Sequence, residues 1–198
     1  MPDVRKKSLT AKDLVTIAIY VALYFVTMFA LAILGFLGPL AMFISLTVAA
    51  VLGGIPYVLF LSKVHKPGMI TLFGVSYALL FVLIGHPLVA LLVTLISSVC
   101  ADVIYSTGAH TRLRTALTYA VFTFWYIGPM VPFILDRQAY LKVLTARKGG
   151  SEFAQEFDAF FSPLMLWVSL PTLFISGLLG GLLGYAMLRK HFSRAGLA

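Results

Sequence analysis

Six apolar runs, separated by gaps that are alternately basic and not, leave this chain one class of fold. The runs cover residues 14–34, 40–61, 69–84, 88–105, 116–135 and 164–188. Every second gap is basic. Arg5, Lys6, Lys7 and Lys12 precede the first run, and Lys63 and Lys66 follow the second. Arg112 and Arg114 follow the fourth, and Arg189, Lys190 and Arg194 follow the last. These gaps hold most of the 15 Lys and Arg. The intervening gaps carry Arg137, Lys142, Arg147 and Lys148, offset by Asp136, Glu152, Glu156 and Asp158. Cationic loops are retained on the cytoplasmic side of a membrane. The pattern predicts an all-α polytopic membrane protein with six transmembrane helices and both termini cytoplasmic.

A soluble domain of 198 residues has too little interior for a chain that is 61% hydrophobic and 11% charged. A bilayer supplies the missing apolar solvent, and about 20 residues rising about 1.5 Å each cover its core. The run 69–84 is short and calls for little tilt or a locally thin bilayer. A re-entrant hairpin over 69–105 keeps both flanking basic gaps inside as well. Two crossings are preferred, because irregular backbone exposed to lipid is not tolerated. The +8 net charge is dispersed over loops and not gathered on one face, which argues against nucleic acid as a partner. The single Cys100 excludes a disulfide or a multi-cysteine metal site within one chain. The first run is too long for a signal-peptide core and reads as a retained helix. Residues 1–198 read as one helical domain without a soluble enzyme module.

Thr10 is placed to cap the first helix, with Asp13 near its positive end. Residues 35–39 and 85–87 read as outer turns, and 62–68 and 106–115 as inner loops. Gly128-Pro129 and Pro132 interrupt the outer half of the fifth run. The outer segment 136–162 contains Phe153, Phe157, Phe160 and Phe161 on one helical stripe, with Glu152, Gln155, Glu156 and Asp158 away from it. This predicts an amphipathic extracytoplasmic helix beginning after Gly149-Gly150-Ser151, preceded by a short piece over 137–144. Such a stripe suits interfacial packing at the headgroups or a lid over an outward cavity.

Catalytic constellations are nearly absent. The sequence has no HExxH, no GxSxG and no pair of intramembrane carboxylates. Asp102 is the one acid within a run. A structural pair with the Arg112/Arg114 loop is favoured for it over proton coupling. Ala18 and Ala22 form an Ala-xxx-Ala face, and Gly177/Gly181 and Gly180/Gly184 form two overlapping Gly-xxx-Gly faces. Such faces let backbones approach closely in lipid. Internal packing is favoured for the glycines, and a partner-protein contact is a serious rival for the alanines.

His86 sits in an outer turn and shares the outer leaflet with Trp125, Tyr126, Met130, Asp136, Phe161 and Trp167. A turn histidine is commonly just solvated, and Trp and Tyr at that depth commonly anchor the interface. Together the seven also suit a flat, partly apolar ligand. His65, His110 and His191 fall on the cytoplasmic side and read as loop residues.

Residues 9–14 leading into 18–25 resemble the start of S components of energy-coupling-factor (ECF) transporters. The closest likeness is to the Trep_Strep or MptD-family group. Residues 63–69, Gly85-His86, Ala101-Asp102, Gly128-Pro129 followed by 136–140, and 180–184 through 190–196 continue it across essentially the whole chain. The resemblance implies a six-helix subunit that captures a micronutrient outside a prokaryotic plasma membrane. It implies docking onto an ECF transmembrane coupling subunit with two cytoplasmic ATPase subunits. Ala18 and Ala22 match the motif that contacts the coupling subunit in the wider family. No motif carries individual pocket residues over, so the seven outer residues rest on depth and chemistry. The resemblance also implies toppling of the subunit during transport.

The chain has no Walker motif, so ATP hydrolysis is assigned to the partners, and the chain is not expected to be an enzyme or to hold an intrinsic cofactor. The expected work is differential binding, tight facing out and weak in the rearranged complex. A metal-ion substrate calls for several His or acidic ligands together, and only one outer His is present. Haem fits the outer residue supply better, with His86 or Met130 as axial ligand. Riboflavin-like and other heterocyclic vitamins remain candidates. The alternative function is a self-sufficient small secondary transporter or channel, which calls for inverted repeats and buried ionisable residues. A membrane enzyme lacks its constellation.

Overall fold

The computed structural model describes residues 9–147 and 150–192. Arg5, Lys6, Lys7, Lys148, Gly149 and Arg194 lie outside the described residues, as do the side chains of Arg147 and His191. Among the described residues all regular structure is helical. The chain forms α1 (Ala11–Ala32), α2 (Pro39–Leu61), α3 (Met69–Leu83), α4 (Val89–Ser106) and α5 (Arg112–Phe122). It continues as α6 (Val131–Leu135), α7 (Arg137–Arg147), α8 (Gly150–Phe160) and α9 (Pro163–Met187). A tighter 3-10 stretch, Thr123–Met130, joins α5 to α6. Its Pro129 has no N–H to donate, and the 3-10 geometry begins six residues before it as the regular ladder runs out.

Five segments are long and apolar enough to cross a membrane: Ala11–Leu37, Pro39–Leu61, Val89–Ser106, Arg112–Leu135 and Pro163–Lys190. The sixth run forms α3, which at 15 residues is about 22 Å long.

Specific bonds gather alternate loops at one end of the bundle. Thr10 and Asp13 form a reciprocal capping box on α1. Asp13 also accepts from Lys66 Nζ at 2.6 Å and faces His65 Nε2 at 3.0 Å, tying α1 to the α2–α3 loop. Tyr105 donates to the Leu61 carbonyl at 2.8 Å, and Arg114 donates to the Ile104 carbonyl. The basic residues Lys63, Lys66, Arg112 and Arg114 thus share one end. The turns at 33–38 and 84–88 and the segment 123–162 lie at the other.

Asp102 does not pair with the arginine loop. It accepts from the backbone N and the Oγ1 of Thr71, both at 3.0 Å. The helix α3 starts at Gly68, which has no side chain to cap it, so α4 supplies the acceptor. Arg114 turns to Ile104 and Thr107.

The core is aromatic. Tyr24 is fully buried and receives Tyr77, Phe73 and Phe122 edge-on, with centroids at 5.0, 5.7 and 5.7 Å. The two glycine faces of α9 serve different neighbours. A Cβ on Gly181 would sit 2.6 Å from Ala116 Cα of α5, whereas one on Gly180 would sit 2.7 Å from the carbonyl oxygens of Ala50 and Val51 of α2. Overlapping Gly-xxx-Gly faces therefore wedge α9 between α2 and α5.

A second, smaller core joins Phe133, Leu144, Ala154, Phe157 and Phe161. The phenylalanine stripe of α8 faces this core: Phe157 lies edge-on to Phe133 at 5.3 Å, and Phe160 lies 6.0 Å from Phe43 of α2. Arg137 pairs with Asp158 and lies 5.0 Å over the Phe133 ring, closing α7 on α8. The short piece expected over 137–144 extends to Arg147, and the two helices form a hairpin packed on the protein.

Candidate functional site

The segment 123–136 is a partition with a cavity on each side. On one side, Pro129, Pro132, Leu135 and Asp136 face a cavity of about 840 Å³. On the other, Tyr126, Ile127, Met130 and Ile134 face a groove of about 350 Å³. Groups three to four residues apart share one helical face, so each of these two sets faces its own side of the partition.

The larger cavity is closed by the turn at 84–88, by Phe36, and by Ala139, Tyr140, Val143 and Leu144 of α7. Its polar groups are His86, Asp136 and the Tyr140 hydroxyl. His86 is half-buried and stacks on Phe81 at 4.4 Å. Asp136 is exposed and caps α7 by accepting from the Ala139 N–H at 3.0 Å. Burial pushes the Tyr140 phenol up from its usual value, so it stays a neutral hydroxyl.

The groove lies between α2 and α9. Its walls include Met42, Phe43, Leu46, Phe161, Trp167 and Leu170. Trp167 stands at its mouth with 73% of its surface exposed.

The seven outer residues therefore do not form one site. His86 and Asp136 line the larger cavity, while Tyr126, Met130, Phe161 and Trp167 line the groove. Trp125 lines neither. It is buried in the core, donates to Tyr24 Oη at 3.0 Å, and stacks on Tyr126 at 4.0 Å. Phe81 bridges His86 to Trp125, with centroids at 4.4 and 4.8 Å. A continuous series of ring contacts, stacked at His86–Phe81 and Trp125–Tyr126 and edge-on at Phe81–Trp125, so links one cavity to the other. Tyr140, which the sequence reading passed over as a site residue, belongs to the larger cavity. Its position four residues after Asp136, one turn into the helix that Asp136 caps, was the available signal.

The sequence profile of a family described as "Hypothetical bacterial integral membrane protein (Trep_Strep)" matches residues 11–194. The chain belongs to the Trep_Strep family. It is accordingly an integral membrane protein of the bacterial type, consistent with the five long apolar helices. Neither the curated proteins nor the solved structures contain a match to this Trep_Strep chain.

In this Trep_Strep chain Ala18 and Ala22 both lie on the exposed face of α1. Val15, Ile19 and Val26 continue that face at 58%, 54% and 65% exposure. The opposite face, Ile17, Val21, Tyr24 and Met28, is buried. Among the described residues no group of three or more His, Cys, Asp or Glu is placed to hold a metal ion.

Proposed function

We propose that this chain is the substrate-binding subunit of an ATP-driven ECF-type ABC importer. It crosses the membrane six times with both termini cytoplasmic. It captures a planar heterocyclic micronutrient outside the cell, haem being one candidate, and hands it to a separate coupling module with two ATPases. The observation that carries the reading is the larger cavity's position at the end of the bundle opposite Lys63, Lys66, Arg112 and Arg114. With those cations cytoplasmic, the cavity opens to the outside. Its size is in the range of small-molecule sites, and its lining is apolar with few polar groups.

The single-sided burial of α1 supports the partner half of the reading. Ala18 and Ala22 give a flat strip on which another helix can approach closely. For haem, His86 is the axial candidate within the larger cavity. Met130 faces the groove, so the two do not serve one ligand from opposite sides.

The test is co-purification. Wild type, Ala18→Trp and Ala22→Trp are expressed with the coupling subunit and both ATPases, and the small molecule retained by each is read by native mass spectrometry. The expected result is loss of the complex in both variants with the small molecule retained. An intact complex in both variants counts decisively against the docking role.

A further inference from the structure

We propose that the groove between α2 and α9 is a lipid site that holds one acyl chain of an outer-leaflet phospholipid. Its walls offer little to a polar ligand. The three hydroxyls among them are already engaged: Thr47 donates to the Phe43 carbonyl at 2.7 Å, Ser169 to the Met165 carbonyl at 2.8 Å, and Tyr126 to Met28 Sδ at 2.9 Å. An acceptor placed there loses its water and gains no hydroxyl donor in return. The remaining walls are Met, Leu, Ile and aromatic carbon, and a flexible hydrocarbon chain fits that lining without desolvation cost.

The groove is continuous with the bilayer-facing surface. Ile44 and Val48 flank it on α2 and Leu164 and Val168 on α9, at 53%, 43%, 74% and 43% exposure. Both walls belong to segments long and apolar enough to cross a membrane. Lining residues 42–47 and 163–173 fall in the turns nearest the end that carries the larger cavity. Trp167 at the mouth has the amphipathic ring typical of the headgroup boundary. An acyl chain entering there runs along α9 beneath it.

Such a chain supports the partition from behind. Met130 and Ile134 touch the groove, while Pro129, Pro132 and Asp136 of the same short segment wall the larger cavity. Emptying or filling the groove therefore shifts the capture wall. This second consequence rests on reading the larger cavity as the capture site; lipid occupancy does not.

The test uses the full chain in nanodiscs of phosphatidylglycerol doped with a phosphatidylcholine that carries a diazirine in one acyl chain. After photolysis, labelled residues are mapped by mass spectrometry. Labelling is expected to concentrate on the half-buried Met42, Met130 and Leu170 over the more exposed Ile96 and Val103 of α4. Leu46→Trp, and separately Leu170→Phe, are expected to reduce groove labelling about tenfold while α4 labelling is unchanged. Trp167→Ala, at the exposed mouth, is expected to raise exchange of the label, and unaltered exchange counts against entry past this ring. Labelling of the groove no stronger than that of α4, or unaltered by either filling variant, overturns the proposal. Displacement of the label by haem overturns it too, and moves capture to the groove. Unchanged haem affinity with lost lipid labelling keeps the lipid site and removes its effect on capture.

Discussion

Asp102 on α4 caps α3 across the bundle, accepting from both the backbone N and the Oγ1 of Thr71 at 3.0 Å. A carboxylate at the start of a helix meets unsatisfied N–H groups and the positive end of the helix dipole. This gives the one acid buried within an apolar run a structural role, and it explains how α3 starts after a glycine.

Replacing that acceptor should be felt in stability. Asp102→Ala is expected to cost about 1–2 kcal/mol, with Asp102→Asn costing less because its amide oxygen still accepts. Thermal unfolding in detergent checks the order. If Asp102 carried protons instead, Asp102→Asn would change the pH dependence of uptake while leaving the unfolding temperature in place.

Lys66 is the main cationic partner of Asp13, which is otherwise held by Thr10 and His65. Lys66→Ala leaves that carboxylate with weaker compensation and frees α1 from the α2–α3 loop. A lower unfolding temperature is expected than for Lys142→Ala on the exposed surface of α7. Equal temperatures would show that the clasp contributes nothing measurable.

A Cβ on Gly54 would run into the backbone of Gly180. Gly54→Ala must therefore push α2 from α9, and a loss of about 1–3 kcal/mol is expected, as for other overpacked interiors. Gly68 offers a contrast, since nothing lies within 4 Å of its Cβ position. There the positive φ of 91° sets the cost of a side chain. Unfolding of Gly54→Ala and Gly68→Ala, measured side by side, separates crowding from backbone strain.

Tyr57 and Tyr77 bury hydroxyls that make no hydrogen bond. Tyr77→Phe removes a desolvated group without a partner and is expected to leave stability unchanged or raise it by about 1 kcal/mol. Tyr24→Phe removes the acceptor for Trp125 and is expected to cost a similar amount. Chemical unfolding followed by tryptophan fluorescence reads both.

The separation of His86 from Met130 predicts unequal effects on capture. With haem as the proposed ligand, His86→Ala is expected to weaken its binding about tenfold or more, and Met130→Leu to leave it within about twofold. Absorption titration checks this, and the reverse ranking would assign the ligand to the groove.

Several elements were legible in the chain. The capping box at Thr10 and Asp13 follows from local spacing, and so does the apolar stripe of α8. The Ala18/Ala22 strip was placed on one helical face, and that face is exposed. These features depend on periodicity within one helix, which sequence carries directly. The pairing expected for Asp102 went astray because nearness in sequence favoured Arg112 and Arg114. Thr71, 31 positions away, is brought alongside only by the antiparallel packing of α3 on α4.

The sequence by itself determined the membrane class, the long apolar helices and the placing of basic residues in alternate gaps, because burial in lipid and helical period act residue by residue. Only the tertiary structure decided that the outer residues divide between two cavities and that Trp125 belongs to the core. That division depends on which way the 3-10 turn at 123–130 rotates the partition between α2, α4 and α9. Packing of those helices sets the rotation, and no local pattern encodes it.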